Sequence, residues 1–221
     1  MSNKNETTTI PEVKVLQEDE ALQLAKVLRT RLHLGTITQA DESLIQLIIA
    51  GLGDKRGHLR RTFVESLGAI GISAVPALRS ALLHHSNVNV RRSSAKALKL
   101  VGDSSSLPDL LTALITDEDP VVQGSSAGAM AIFGEDAVKH LLKVLAHPNS
   151  TAMQCGLASW GLSFIGAEAP NALREAAQSE NVIIKAAAIA ALGEQIQCLE
   201  DEIARDLVLK SLEDPAIEVR A

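Results

Sequence analysis

A five-residue phrase returns along this chain at nearly constant intervals, and that recurrence restricts the fold more than any other feature. It reads Leu67-Gly-Ala-Ile-Gly71, Leu98-Lys-Leu-Val-Gly102, Met130-Ala-Ile-Phe-Gly134 and Leu162-Ser-Phe-Ile-Gly166, with first residues 31, 32 and 32 apart. Leu192-Gly193 follows 30 residues later without the closing glycine. Ahead of each phrase stands an apolar residue and then a long polar one: Leu59-Arg60, Val90-Arg91, Val122-Gln123, Met153-Gln154 and Ile184-Lys185, with a further copy at Val219-Arg220. A period of this length signals stacked supersecondary units.

Each unit holds two helical patterns. Leu107, Leu110, Leu111, Leu114 and Ile115 fall at i, i+3, i+4, i+7 and i+8, the stripe of an amphipathic helix. Val138, Leu141, Leu142 and Leu145 repeat it, as do Ala169, Ala172, Leu173 and Ala176. Gly71, Gly102, Gly134 and Gly166 stand where a helix needs a C-terminal residue of positive φ. Asp119-Pro120 and Asp214-Pro215 have the order of an N-cap and a first-turn proline. Aromatic residues make up only 2% of the chain, so the core must be thin layers of Ala, Leu, Ile and Val. The absence of Tyr argues against tetratricopeptide units, and no Thr-Pro-Leu-His turn marks an ankyrin array. The prediction is an all-α, right-handed α-solenoid of short HEAT-like helical hairpins. Cap helices are expected at about 18–33 and 41–53, five repeats over about 57–213, and the start of a sixth at 214–221. Residues 1–17 read as a disordered tail, and the second helices are expected to line a concave wall.

A formal charge of −6 disfavours nucleic acid as a partner. No run of eighteen apolar residues suggests a membrane span, and the first residues lack the apolar segment of a secretory signal. Cys155 and Cys198 have no metal-ligand spacing and form no disulfide framework, which points to a reducing cytoplasmic setting. There is no P-loop, no HExxH and no GxSxG, so no catalytic residue and no metal site is expected. His84-His85 are adjacent, hence on different helix faces, and suit the negative end of a helix dipole better than a shared metal.

Two features depart from the repeat. Asp136, Lys139, His140, Lys143 and His147 share one helix face, and Lys139, His140 and Lys143 are suited to the carboxylates of an anionic ligand, though a solvated face has the same pattern. Gly124, Gly128, Gly156 and Gly161 stand inside neighbouring helices, where each costs about 1 kcal/mol relative to Ala. Close helix approach explains such glycines, and so does a shallow groove edged by Gln123, Gln154 and Trp160. In these two units alone Gln replaces the basic residue. Cys155, in the same segment, is a candidate thiol or a small buried apolar residue. Cys198 is placed in the last inter-helix turn and has the same bland reading.

The repeats across 57–221 resemble those of the phycobilisome lyase HEAT-like family. Asp119-Pro-Val-Val-Gln-Gly-Ser-Ser-Ala-Gly-Ala-Met130 and Gln154-Cys-Gly-Leu-Ala-Ser-Trp-Gly-Leu-Ser-Phe-Ile-Gly-Ala167 resemble, more narrowly, its cyanobacterial phycobilisome-degradation (NblB-type) branch, itself similar to the E/F-type bilin lyases. The resemblance implies partners among phycobiliproteins (phycocyanin or allophycocyanin subunits) and phycocyanobilin as ligand rather than tightly bound cofactor. It implies an activity in which the bilin is detached or accepted during antenna dismantling. Attachment of bilin by an E/F-type lyase subunit and a purely protein-binding adaptor stay open beside it. The array stops within a repeat, so the C-terminal end is expected to be covered by a partner, for instance in a dimer, or by residues beyond 221.

Overall fold

The computed structural model describes residues 16–199 and 201–220, so most of the expected N-terminal tail lies outside it. Among the described residues there are helices and no strands. They run α1 (Glu18–His33), α2 (Glu42–Gly51), α3 (Gly57–Ile70), α4 (Val75–His84), α5 (Val88–Val101), α6 (Leu107–Thr116), α7 (Pro120–Met130), α8 (Glu135–Ala146), α9 (Ala152–Ile165), α10 (Pro170–Ala176), α11 (Val182–Leu199), α12 (Glu202–Ser211) and α13 (Ile217–Arg220). The chain is an all-α solenoid.

Of the two N-caps expected from the Asp-Pro pairs, one forms. Asp214-Pro215 stands in the turn before α13, which begins at Ile217, with Asp214 accepting from the Ala216 amide at 2.9 Å. Asp119 accepts from the amides of Val121 and Val122 at 2.9 and 3.0 Å, starting α7 at Pro120. Gly102 closes α5 in the left-handed region at φ 71°, ψ 24°. Gly71 closes α3 at φ 78°, ψ −141°, a backbone state open to glycine alone. Where the closing glycine is lost, after Gly193, α11 runs on to Leu199 and becomes an 18-residue helix. Cys198 therefore falls within α11 rather than in a turn, which corrects the sequence expectation.

Odd-numbered helices α3 to α11 stack in one row and even-numbered helices α2 to α12 in another. The closest antiparallel partners are α4 with α5, α6 with α7, and α8 with α9. A repeat cut after each closing glycine thus describes the hairpins better than one cut before each Val-Arg pair. Val219-Arg220 lies on α13, which packs against α11 in the odd row. The segment Gly57–His84 has the length and mean hydropathy, 1.5, of a membrane span. It is instead α3 and α4, broken at Gly71, each burying a face in the stack.

Backbones in the odd row approach one another more closely than those in the even row. Small residues allow this: a Cβ on Gly68 of α3 would lie 2.7 Å from Leu100 Cβ of α5. A stack bends toward its tighter row, so the odd helices form the inner face. The expectation that the second helices would line the concave wall is reversed. The core is a continuous aliphatic ribbon between the rows, including Leu59, Leu67, Leu98, Leu114, Leu141 and Leu162, each at 0% exposure. Each such leucine contributes about 2 kcal/mol on burial. Phe63 is the one fully buried aromatic, and it fits because Gly51 has no Cβ, which would sit 2.8 Å from its ring.

Candidate functional site

Along the odd row the side chains change character from helix to helix. Helix α7 presents Gly124, Ser125 and Gly128, almost bare backbone. Next to it, α9 raises Trp160 and Phe164, 50% and 59% exposed despite their size. Their ring centroids are 5.9 Å apart and the planes tilt by 40°. A Cβ on Gly128 would come within 3.3 Å of the Trp160 ring, so the indole lies over α7. On the far side of α7, Lys99 of α5 places Nζ 5.7 Å from the centroid of Phe164. A residue of α9 thus meets one of α5 across the helix between them. Only a low intervening helix permits that contact.

Lys99 ends a cationic stripe, Arg92, Lys96 and Lys99, at i, i+4 and i+7 on α5. Burial lowers the Lys96 pKa, and the neighbouring charges of Arg92 and Arg60 lower it further. Arg60 is lowered in the same way, by burial and then by Arg92. The Arg92 Nε is buried and has no hydrogen-bond partner. The inner face therefore joins an exposed aromatic pair, a bare floor and a cluster of cations. Such a surface suits a flat conjugated molecule that bears negative charge.

The structure assigns Gln123 and Gln154 another task. Gln123 Nε2 donates to the carbonyl of Asp117 at 2.7 Å. Gln154 is 7% exposed, donating to the carbonyl of Ile115 at 2.7 Å and accepting from the Thr151 amide at 2.9 Å. Both amides are occupied in tying turns together, and neither is brought to the Trp160 face. Their identity follows from the next turn along the stack. Arg91 pairs with Asp117 through bonds of 2.7 and 3.0 Å, and Lys185 with Asp214 at 2.6 Å. The corresponding later turns facing Gln123 and Gln154 are capped by His147 and Ser179, which bond the Asn149 and Asn181 amides. Without a carboxylate, a cation there would be buried unpaired, so a neutral amide takes the position.

The other predicted residues lie elsewhere. Lys139, His140 and Lys143 are on α8, in the opposite row, with Lys139 and Lys143 exposed. Burial lowers the His140 pKa, helped by Lys139 and Lys143 and opposed by Asp136. Lys139 borders a cleft of about 670 Å³ between α8, α10 and α11, together with Glu135, Asp136 and Glu175. Three carboxylates to one ammonium make that cleft hostile to an anion. Cys155 is half-buried on α9 against the core. Of the four helix-interior glycines, Gly128 and Gly161 serve close approach, the latter with Leu141 Cδ1 3.1 Å from the place of a Cβ. Gly156 faces open space one turn before Trp160, extending the bare surface. Arg92, Lys96 and Lys99 escaped the sequence reading, although their i, i+4, i+7 spacing was visible.

Comparison with known proteins adds the family. Residues 75–158 match the model of HEAT repeats, and residues 59–84 that of the PBS lyase HEAT-like repeat. The bilin biosynthesis protein MpeU of Synechococcus sp. (strain WH8020) is 47% identical over 209 residues, covering 95% of this chain and 70% of its own length. An uncharacterized phycocyanin operon protein Z of Pseudanabaena tenuis (strain PCC 7409) is 33% identical over 130 residues, 56% of this chain and 64% of its own. Among solved structures, the complex of CpcE and CpcF of phycocyanin lyase from Nostoc sp. PCC7120 aligns over 81% of this chain and 95% of that one, with 21% identity and a TM-score of 0.42. With nearly half of its residues shared along almost its whole length, the chain belongs to the family of HEAT-like repeat proteins that includes the bilin biosynthesis protein MpeU.

Proposed function

We propose that this protein handles an open-chain tetrapyrrole on phycobiliproteins, in the sense of a bilin lyase, and holds the pigment against the α5–α7–α9 face. The observation that carries the reading is the Trp160–Phe164 pair standing half-exposed over Gly128, with Lys99 closing the far side. A bilin is a long conjugated body with two propionates, and such a face offers it stacking area and positive charge. The name of the relative at 47% identity, a bilin biosynthesis protein, supports the attaching direction. The likeness of Asp119–Met130 and Gln154–Ala167 to the phycobilisome-degradation branch supports a second reading, in which phycocyanobilin is detached or accepted during antenna dismantling. Both directions are the same chemistry. A cysteine S–H adds across an exocyclic C=C of the bilin, forming C–S and C–H bonds, and elimination returns both partners without an oxidant or reductant. One binding face serves either.

The test mixes the protein with phycocyanobilin and apo-phycocyanin α subunit, and separately with holo-phycocyanin, following visible absorbance and covalent pigment on denaturing gels. A coloured adduct on the apo-subunit supports attachment. Pigment lost from the holo-subunit supports dismantling instead. A protein that binds phycocyanin without binding pigment, and whose binding ignores Lys99→Ala and Trp160→Ala, would be an adaptor, and the reading would fall. Trp160→Ala is expected to weaken pigment binding about five- to tenfold, the loss of about 1–1.4 kcal/mol of stacking.

A further inference from the structure

We propose that Arg92 and Lys96 of α5, backed by Arg60 of α3, form a carboxylate clamp. Resting on the tetrapyrrole reading above, the ligand they take is the propionate end of the pigment. The case begins with a charge the scaffold does not need. Arg60 bonds the carbonyls of Asp54 and Lys55 in its own turn, the role that Gln123 fills with a neutral amide at the carbonyl of Asp117. Arg91 and Lys185 keep a positive charge because Asp117 and Asp214 stand in the next turn. The turn position that follows Arg60 in the same register is His85. Two other units without a turn carboxylate have given up the cation, and this one has not.

Arg92 supplies the second observation. Its Nε is buried and meets no acceptor, although buried polar groups are ordinarily hydrogen-bonded because an unpaired one loses its solvation without recompense. Lys96 lies one helical turn further on, and each cation raises the cost of the others, as the lowered values of Arg60 and Lys96 record. Asp54 exerts a pull on Arg60, but its carboxylate is engaged with Arg56 through bonds of 2.8–2.9 Å. A planar anion at the terminal nitrogens of Arg92 would relieve the repulsion. From Arg92 to Lys99 is seven residues, about 10 Å along the helix. A carboxylate arm seated at Arg92 and Lys96 therefore belongs to a molecule whose body continues along α5 toward Phe164.

Absorbance titrations of the full chain with phycocyanobilin and with its dimethyl ester decide the matter. The unaltered protein is expected to bind the diacid at least tenfold more tightly than the ester. Arg92→Gln and Lys96→Gln should each cost five- to tenfold for the diacid and leave the ester unchanged. Arg92→Lys, which keeps the charge but loses the planar fork, should fall between. Equal binding of diacid and ester, or an equal loss of both in the variants, overturns the clamp and leaves the tetrapyrrole reading in place. If neither pigment binds, that reading fails on its own, and sodium glutarate at matched ionic strength tests the clamp. A rise in melting temperature absent from Arg92→Gln then supports a carboxylate site, and no rise overturns it.

Discussion

Asp117→Asn isolates the ion pairs that fix the turns of the stack. Asparagine keeps an oxygen for the Asp119 amide, which Asp117 Oδ1 accepts at 2.9 Å, so the turn survives and the charge alone is lost. Arg91 and Asp117 are 18% and 6% exposed at their side chains, well out of solvent. Removing one partner from a fully buried pair costs about 3–5 kcal/mol. Arg91 would still reach the carbonyls of His85 and Ser86 at 3.1 and 3.2 Å, which brings the expected cost to about 2–3 kcal/mol. Urea unfolding followed at 222 nm and by the fluorescence of Trp160, the sole tryptophan, should show a midpoint lowered by about 1 M.

The double variant Arg91→Gln, Asp117→Asn rebuilds the arrangement found at Gln123, a neutral amide facing a turn without a carboxylate. It should be more stable than Asp117→Asn by about 1 kcal/mol. The pH dependence has a definite sign. Burial opposes ionisation of Asp117, yet the bonds from Arg91 prevail and hold its carboxyl below the usual range. The pair's contribution is therefore complete above about pH 4, the unfolded value, and fades as pH falls through the folded one. The deficit of Asp117→Asn should match at pH 6 and pH 8 and shrink below pH 4. A single variant as stable as the parent, or a double variant showing the plain sum of two losses, would refute the account of the Arg/Gln alternation.

Three further outcomes test the site and its frame. Gly128→Leu should push the indole off α7, red-shift Trp160 emission and cut pigment affinity more than tenfold, while stability stays within about 1 kcal/mol because a helix-interior glycine is removed; undiminished binding would move the site elsewhere. His140→Asn should blunt the loss of stability on acidification: burial, then Lys139 and Lys143, lower the folded pKa, so the unfolded chain gains its proton first and stability falls below about pH 6.5, a slope read from urea midpoints at pH 5.5 and 7.5. Gly71→Ala should destabilise by about 2 kcal/mol, since φ 78° with ψ −141° is a strained state for any Cβ-bearing residue, and calorimetry reads it.

The architecture was legible because helix ends are written locally. Gly71, Gly102, Gly134 and Gly166 all take positive φ, and Asp119 caps α7 where its side chain indicates. The phase of the repeat was not legible. A period fixes the length of a unit, whereas the closest pair of rods is decided by how sharply each linker turns, and the three residues between α4 and α5 turn more sharply than the 3-10 segment between α3 and α4. Gln123 and Gln154 stand out as a coincidence of odd residues, but their explanation lies in the next turn of the stack, where His147 and Ser179 take the places that Asp117 and Asp214 hold opposite Arg91 and Lys185. Arg92, Lys96 and Lys99 were hidden because cations at helical spacing also describe a solvated face.

Net charge conceals the division that matters for a ligand. The chain as a whole is at −6, which describes an acidic protein. Yet the cleft beside Lys139 is ringed by Glu135, Asp136 and Glu175, while the α5 edge of the inner face carries Arg92, Lys96 and Lys99. Within a Debye length of about 8 Å at physiological salt, a dianion feels these local sets and not the total. On the proposed reading, a conjugated dicarboxylate arriving at the stack would be turned away from that cleft and drawn to the α5–α9 face. There the low backbone of α7 would let it lie flat between the cations and the Trp160–Phe164 pair. Shape and charge select the same face, and each does so through residues that the repeat itself does not require.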